Sequence, residues 1–112
     1  PQRFAVRRRG SYVVVELEDI VYFEARDELV WAVTSSDRFA LDARLSALVQ
    51  SLDPKRFFQS HRSCIVRIDR IRLIEPAGAR TFRLLLDHPQ SPRVPLSRDR
   101  ASKLRERIHF TR

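Results

Sequence analysis

Over the first two fifths of the chain, apolar and polar positions alternate in short runs, the period of strands with one buried face. Phe4, Val6 and Arg8 interleave with Ala5, Arg7 and Arg9, which predicts an edge strand ending at Gly10-Ser11, with residues 12–16 as its β-branched hairpin mate. Glu18-Asp19 turns the chain. Ile20, Tyr22 and Glu24 then interleave with Val21, Phe23 and Ala25. Arg26-Asp27-Glu28 is a charged turn, and residues 29–34 form the next strand, with Trp31 and Val33 on one side. Ser35-Ser36-Asp37 turns again before a short strand over residues 38–41. The period changes at Leu41. Leu41, Leu45, Leu48, Val49 and Leu52 fall at helical spacings, with Asp42 as N-cap and Asp53-Pro54 as stop. This predicts a helix of about two to three turns whose apolar stripe covers the open face of a sheet.

Beyond the helix, residues 56–60 read as irregular, residues 64–66 as a strand and Asp69-Arg70 as a turn or a single helical turn. Residues 72–75 return to strand, and Pro76-Ala77-Gly78-Ala79 forms a hairpin loop. Residues 81–87 alternate cleanly, with Phe82, Leu84 and Leu86 on one face. Residues 88–92 are a loop, and residues 93–96 a short strand. Ser97 caps a last helix with Ala101, Leu104 and Ile108 as its buried stripe and Arg100, Lys103, Arg105 and Arg107 largely off it. No repeat or low-complexity segment divides the chain, so residues 1–112 read as a single, mainly β, antiparallel domain with one or two short helices.

Composition narrows the function. A chain of 112 residues buries a core without metals or disulfides, and its single cysteine excludes an internal disulfide, which fits a reducing, cytoplasmic compartment. No run approaches the ~20 apolar residues that span a bilayer. Because the chain opens on Pro1, it reads as a fragment of a longer protein. The net charge of +8 is unevenly placed: residues 1–53 hold 7 basic and 9 acidic residues, whereas residues 54–112 hold 15 and 5. That asymmetry implies a polyanionic partner met mainly by the second half. Only Lys55 and Lys103 are lysines, and arginine suits bidentate contact with phosphates and guanine edges. A genome rich in G and C accounts for the arginine bias as readily, though not for the asymmetry.

Candidate chemistry centres on Phe57-Phe58-Gln59-Ser60-His61-Arg62-Ser63-Cys64-Ile65-Val66. Aromatic residues on one side and an apolar run on the other anchor a short polar tip, so His61, Arg62 and Ser63 stand stiffly at a surface. Arg67, Arg70 and Arg72 flank the same tip as further phosphate contacts or loop support, and Arg100 and Lys103 offer the same from the last helix. His61 either bonds to phosphate or braces the loop, and Ser63 either donates to phosphate or caps the turn. His61, Cys64, His88 and His109 lack metal-ligand spacing, glycine is too scarce for a phosphate-cradling loop, and no nucleophile pairs with a base. We therefore expect no enzyme activity, cofactor or metal. Cys64, in an apolar strand, reads as buried and inert. Tyr22, Phe23 and Trp31 suit core packing better than base stacking.

In order and spacing, Asp19-Ile20-Val21-Tyr22-Phe23-Glu24-Ala25, residues 45–52, the motif from Phe57 to Val66, Ile71, and Val94-Pro95-Leu96-Ser97-Arg98 make the chain resemble the LytTR domain over residues 4–108. LytTR is the DNA-binding output domain of many bacterial response regulators. The resemblance implies an elongated all-β core and sequence-specific binding of double-stranded promoter DNA, with loops entering successive major grooves. It also implies paired direct repeats occupied by two copies, bent DNA, and a receiver or other sensory domain N-terminal to the fragment. Three loop positions carry over as base contacts: Arg26 after the Asp19-Ile20 strand, Arg62 after His61, and Arg98 after Ser97. The first loop departs from expectation, since Asp27 and Glu28 repel phosphate. The position after Val66, commonly Asn in the family, is Arg67. A single-stranded nucleic-acid binder and a basic protein-interaction domain stand as alternatives.

Overall fold

Strands dominate the computed structural model, which describes residues 3–112, as the alternating patterns require. β1 (Arg3–Arg8) and β2 (Ser11–Glu16) form an antiparallel hairpin. Its two-residue turn, Arg9-Gly10, has positive φ at both positions, the geometry that matches strand twist. A 3-10 turn over Leu17–Asp19 leads to β3 (Ile20–Arg26), β4 (Leu29–Thr34) and β5 (Arg38–Leu41). α1 (Leu45–Ser51) follows, then β6 (Phe57–His61) and β7 (Cys64–Arg67). After a second 3-10 turn, Ile68–Arg70, come β8 (Ile71–Pro76), β9 (Phe82–Leu86), β10 (Arg93–Leu96) and α2 (Arg98–Leu104).

The central sheet has five strands in the order β5-β4-β3-β7-β6, and a separate three-stranded sheet has the order β10-β9-β8. Both are antiparallel throughout. The central sheet is covered on both faces. One face packs Phe23, Val30, Ala32, Phe39, Phe57 and Ile65 against α1 and the β1–β2 hairpin. The other packs Val21, Val33, Phe58, Cys64 and Val66 against the three-stranded sheet and α2. Ile20 to Phe23 are therefore all buried, as expected of a strand enclosed by two layers. Phe23 anchors an aromatic cluster, with ring centroids 6.1 Å from Phe4 and 5.9 Å from Phe57. The hairpin is fastened by Arg8, which bonds to Asp37 Oδ2 and to the Arg38 carbonyl, each at 2.8 Å, and lies 4.4 Å from the Phe39 ring centroid. The Arg8 hydrogen bond holds the Asp37 carboxyl below the usual carboxylate range. The stacked layers make an elongated molecule of 50 × 26 × 24 Å.

Two expectations are corrected here. The helix begins at Leu45, not beside Asp42, and Arg44 stands at its N-cap without a side-chain cap bond. Leu41 belongs to β5, and its helical spacing to Leu45 arises because the strand end and the helix stripe fill one core. Residues 56–60 are largely not irregular: β6 occupies Phe57–His61. Phe57 enters one core and Phe58 the other, so both neighbours are apolar and the alternation that marks a one-faced strand is missing.

Candidate nucleic-acid interface

Antiparallel pairing decides which loops share an end of the central sheet. β3 finishes where β7 begins, with Glu24 opposite Cys64, so the β3–β4 turn lies beside the β6–β7 turn. The Ala25 amide donates to the Ser63 carbonyl at 2.8 Å and ties the two together. The junction between β10 and α2 joins from the other sheet. There the Ser97 amide donates to the Ser60 carbonyl at 2.9 Å, and Arg100 Nε donates to the Gln59 carbonyl at 2.7 Å. Arg26, Arg62 and Arg98, scattered in sequence, thus border one end of the central sheet.

The β6–β7 turn is built for rigidity. The ladder slips between Gln59 and His61, a bulge that leaves Ser60 as the extra residue. Ser60 is fully buried, and its hydroxyl has no hydrogen-bond partner among the described residues. His61 Nδ1 accepts the Ser63 amide at 3.2 Å and lies 2.8 Å from Ser63 Oγ. Since Nδ1 accepts, a neutral ring carries its proton on Nε2, which remains a donor. His61 and Ser63 are half-buried, while Arg62 at the tip is exposed. Beneath the turn, burial pushes the Cys64 thiol up to about 12.

The β3–β4 turn is strained. Asp27 and Glu28 both have positive φ, 53° and 63°, in a two-residue turn between the paired Arg26 and Leu29. That geometry favours Asn-Gly, and a side chain at each position costs on the order of 1 kcal/mol. Trp31 Nε1 donates to the Arg26 carbonyl at 3.3 Å, and the Arg38 guanidinium covers the Trp31 ring at 4.4 Å. Glu24 lies 3.8 Å from both Arg26 and Arg38. Trp31 is half-buried under that cation, Tyr22 and Phe23 are buried, and none offers a free stacking face.

The arginines divide into two groups. Arg62 and Arg98 are exposed and make no hydrogen bond or ion pair among the described residues; Lys103 is likewise exposed on α2. Arg67, Arg70 and Arg72 do not flank the β6–β7 turn, contrary to expectation. They lie at and beyond the far end of β7. Arg67 is buried, donates to the carbonyls of Leu17 and Ile20, and lies 4.6 Å from the Phe57 ring centroid. Burial pulls its pKa below the usual arginine value, and nearby Arg56 and Arg70 act in the same direction. The Arg67 Nε and one Nη are thus committed to backbone carbonyls. Arg70 donates to the Asp87 carbonyl at 2.8 Å, and Arg72 pairs with Asp87 Oδ2 at 2.7 Å. Arg100 is half-buried between α2 and β6 instead of standing free on the helix surface.

Arg44 joins this end of the sheet without a motif to mark it in the sequence. Val30 opposite Leu41 places the end of β5 beside the β3–β4 turn, and the exposed Arg44 shares a shallow depression there with Glu28, Leu29 and Asp42. Its only sequence signal was a position in the expected first turn of the helix, where the structure has a loop.

This architecture is shared with known proteins. The family model described as "LytTr DNA-binding domain" matches residues 10–109. The transcriptional regulatory protein YpdB of Escherichia coli K12 is 30% identical over 98 residues, covering 88% of this chain and 40% of that protein. The heme-containing CO-sensing transcriptional regulator RcoM 1 of Paraburkholderia xenovorans is 29% identical over 108 residues, covering 93% and 39%. The chain thus spans about two fifths of these curated relatives. The solved LytTr DNA-binding domain of a Bacillus cereus methyl-accepting/DNA response regulator superposes with a TM-score of 0.85 at 25% identity, covering 98% of this chain and 99% of that one.

Proposed function

The chain belongs to the LytTr DNA-binding domain family, whose function is DNA binding in transcription regulation, and on that premise we propose that it reads double-stranded promoter DNA through the loop end of its central sheet. The carrying observation is that Arg62, on the β6–β7 turn, and Arg98, at the start of α2, stand exposed and unengaged at this end, with the two segments tied together by a hydrogen bond. An unpaired guanidinium on a braced loop can fork onto guanine O6 and N7, worth about 1–3 kcal/mol of discrimination. Arg26 reaches the same surface, but Glu24 and the acidic turn beside it reduce its positive field. His61 Nε2 and Lys103 supply phosphate contacts, and Arg44 extends them. Arg67, Arg70 and Arg72 serve the scaffold.

In this reading two copies occupy paired direct repeats, and the domain works without catalysis. It is one part of a longer cytoplasmic regulator whose other part receives a signal. The curated relatives support that division, since each is more than twice as long as the stretch matched here.

Selection from a random duplex pool, rebound at about 0.15 M salt, tests the reading. A paired-repeat motif is expected, with Arg62→Ala and Arg98→Ala each lowering affinity about tenfold or more and relaxing preference at separate positions. Unchanged affinity and preference in both variants would remove these residues from the interface. Stronger binding to unpaired oligonucleotides would favour a single-strand binder.

A further inference from the structure

Arg62, between β6 and β7, and Arg98, at the start of the helix that follows β10, are attached to different sheets, so no shared ladder sets their spacing. The contacts that do so converge on the outer edge of β6, an edge strand whose carbonyls at Gln59 and Ser60 are taken by α2 and its cap. Ser97, immediately before Arg98, donates its amide to Ser60, one residue before His61. Arg100 donates Nε to Gln59, lies 5.1 Å from the Phe58 ring centroid, and donates its own amide to Ser97 Oγ at 3.4 Å. One residue therefore grips the strand that carries Arg62 while closing the cap that carries Arg98.

We propose that Arg100 is a positioning residue, a clamp that fixes the spacing of the Arg62 and Arg98 loops for DNA recognition; this rests on the reading of those two arginines as base contacts. The chemistry suits arginine alone. The planar guanidinium stacks on Phe58 while Nε–H points along the chain to a carbonyl, whereas a lysine ammonium is a compact, strongly hydrated charge without that geometry. The clamp also explains why Arg100, a cation on a seven-residue helix, is half-buried while Arg98 and Lys103 are exposed.

The test compares the whole chain with Arg100→Ala and Arg100→Lys. Amide hydrogen exchange at Ser97 should quicken at least about tenfold in both variants, with Phe23 in β3 unchanged. Binding to the selected duplex should fall about tenfold in both, the preference for it over single-base variants should shrink, and the slope of log affinity against log salt should stay the same. Unchanged Ser97 exchange overturns the clamp. So does a slope lower by about one with recovery in Arg100→Lys, the mark of a direct phosphate contact. So does weaker binding with undiminished preference, the mark of a smaller folded fraction. If Arg62→Ala and Arg98→Ala leave binding unchanged, the base-contact reading fails, and with it the clamp's role in recognition, whatever Ser97 exchange shows.

Discussion

Arg67 shows how one side chain changes role with its surroundings. In the sequence it continues a basic run after Val66; in the structure its guanidinium satisfies the carbonyls of Leu17 and Ile20 inside the protein. Arg67→Met keeps much of the apolar stem but removes both bonds; the Leu17 carbonyl keeps the Ile20 amide as a donor, whereas the Ile20 carbonyl loses its side-chain donor, at about 1–3 kcal/mol. Urea unfolding should show a loss of about 1–3 kcal/mol with little change in m, while the folded fraction keeps its salt slope for DNA. A stable variant with a shallower slope would restore the phosphate role. Cys64 lies at the opposite extreme of reactivity. With its thiol pushed up to about 12 by burial, the fold favours the protonated form. That contribution is intact below the unfolded thiol's pKa, near 9, and is lost as pH rises toward about 12. At pH 8, labelling by a thiol reagent should therefore track global unfolding; fast labelling of the native protein would show the thiolate to be accessible.

Among the elements, the β3–β4 hairpin carries a visible cost. Its turn holds Asp27 and Glu28 at positive φ, whereas the β1–β2 turn places Gly10 at the comparable second position. Replacing Asp27-Glu28 by Asn-Gly should raise stability by about 1 kcal/mol, read as a higher thermal midpoint. The same change removes two negative charges beside Arg26, so affinity for the selected duplex should rise at low salt and converge with the wild type at high salt. No gain in either quantity would mean that the acidic pair makes a compensating contact. β6 teaches a different lesson. Its existence was hidden because Phe57 and Phe58 serve opposite cores, and its bulge at Ser60 could not be read from residue types. The hairpins, by contrast, were legible from alternation and their turn residues.

At the scale of the whole molecule, charge must be counted by place. The second half is strongly basic, yet several of its cations are committed: Arg70 and Arg72 to Asp87, and Arg93 to Glu75 at 2.6 Å. The Arg72–Asp87 and Arg93–Glu75 ion pairs, being exposed, contribute little to stability but lower the field available to DNA, whereas Arg70 is held by a neutral carbonyl. Arg72→Ala should accordingly leave the salt slope of duplex binding nearly unchanged, whereas Lys103→Ala should lower it by about one. Equal effects from the two would mean that the footprint follows total charge and extends well beyond the loop end.

The mainly β class, most hairpins, the last helix with its Ser97 cap, and the basic bias of the second half were determined by the sequence itself. Each depends on spacing between near neighbours or on simple charge. The ordered motifs also pointed to Arg62, which lies in the β6–β7 turn, and to Arg98, which opens α2 where a loop position was expected. Tertiary structure alone decided which cations remain free, because burial and partnership depend on residues far away in the chain. Arg67 meets Leu17 and Ile20 when β7 pairs with β3, Arg72 meets Asp87 across the β8–β9 hairpin, and Arg100 meets Gln59 when α2 packs on β6. Antiparallel pairing of β3 with β7, together with the Ser60–Ser97 bond, then gathers distant loops at one end, a juxtaposition that no local pattern encodes.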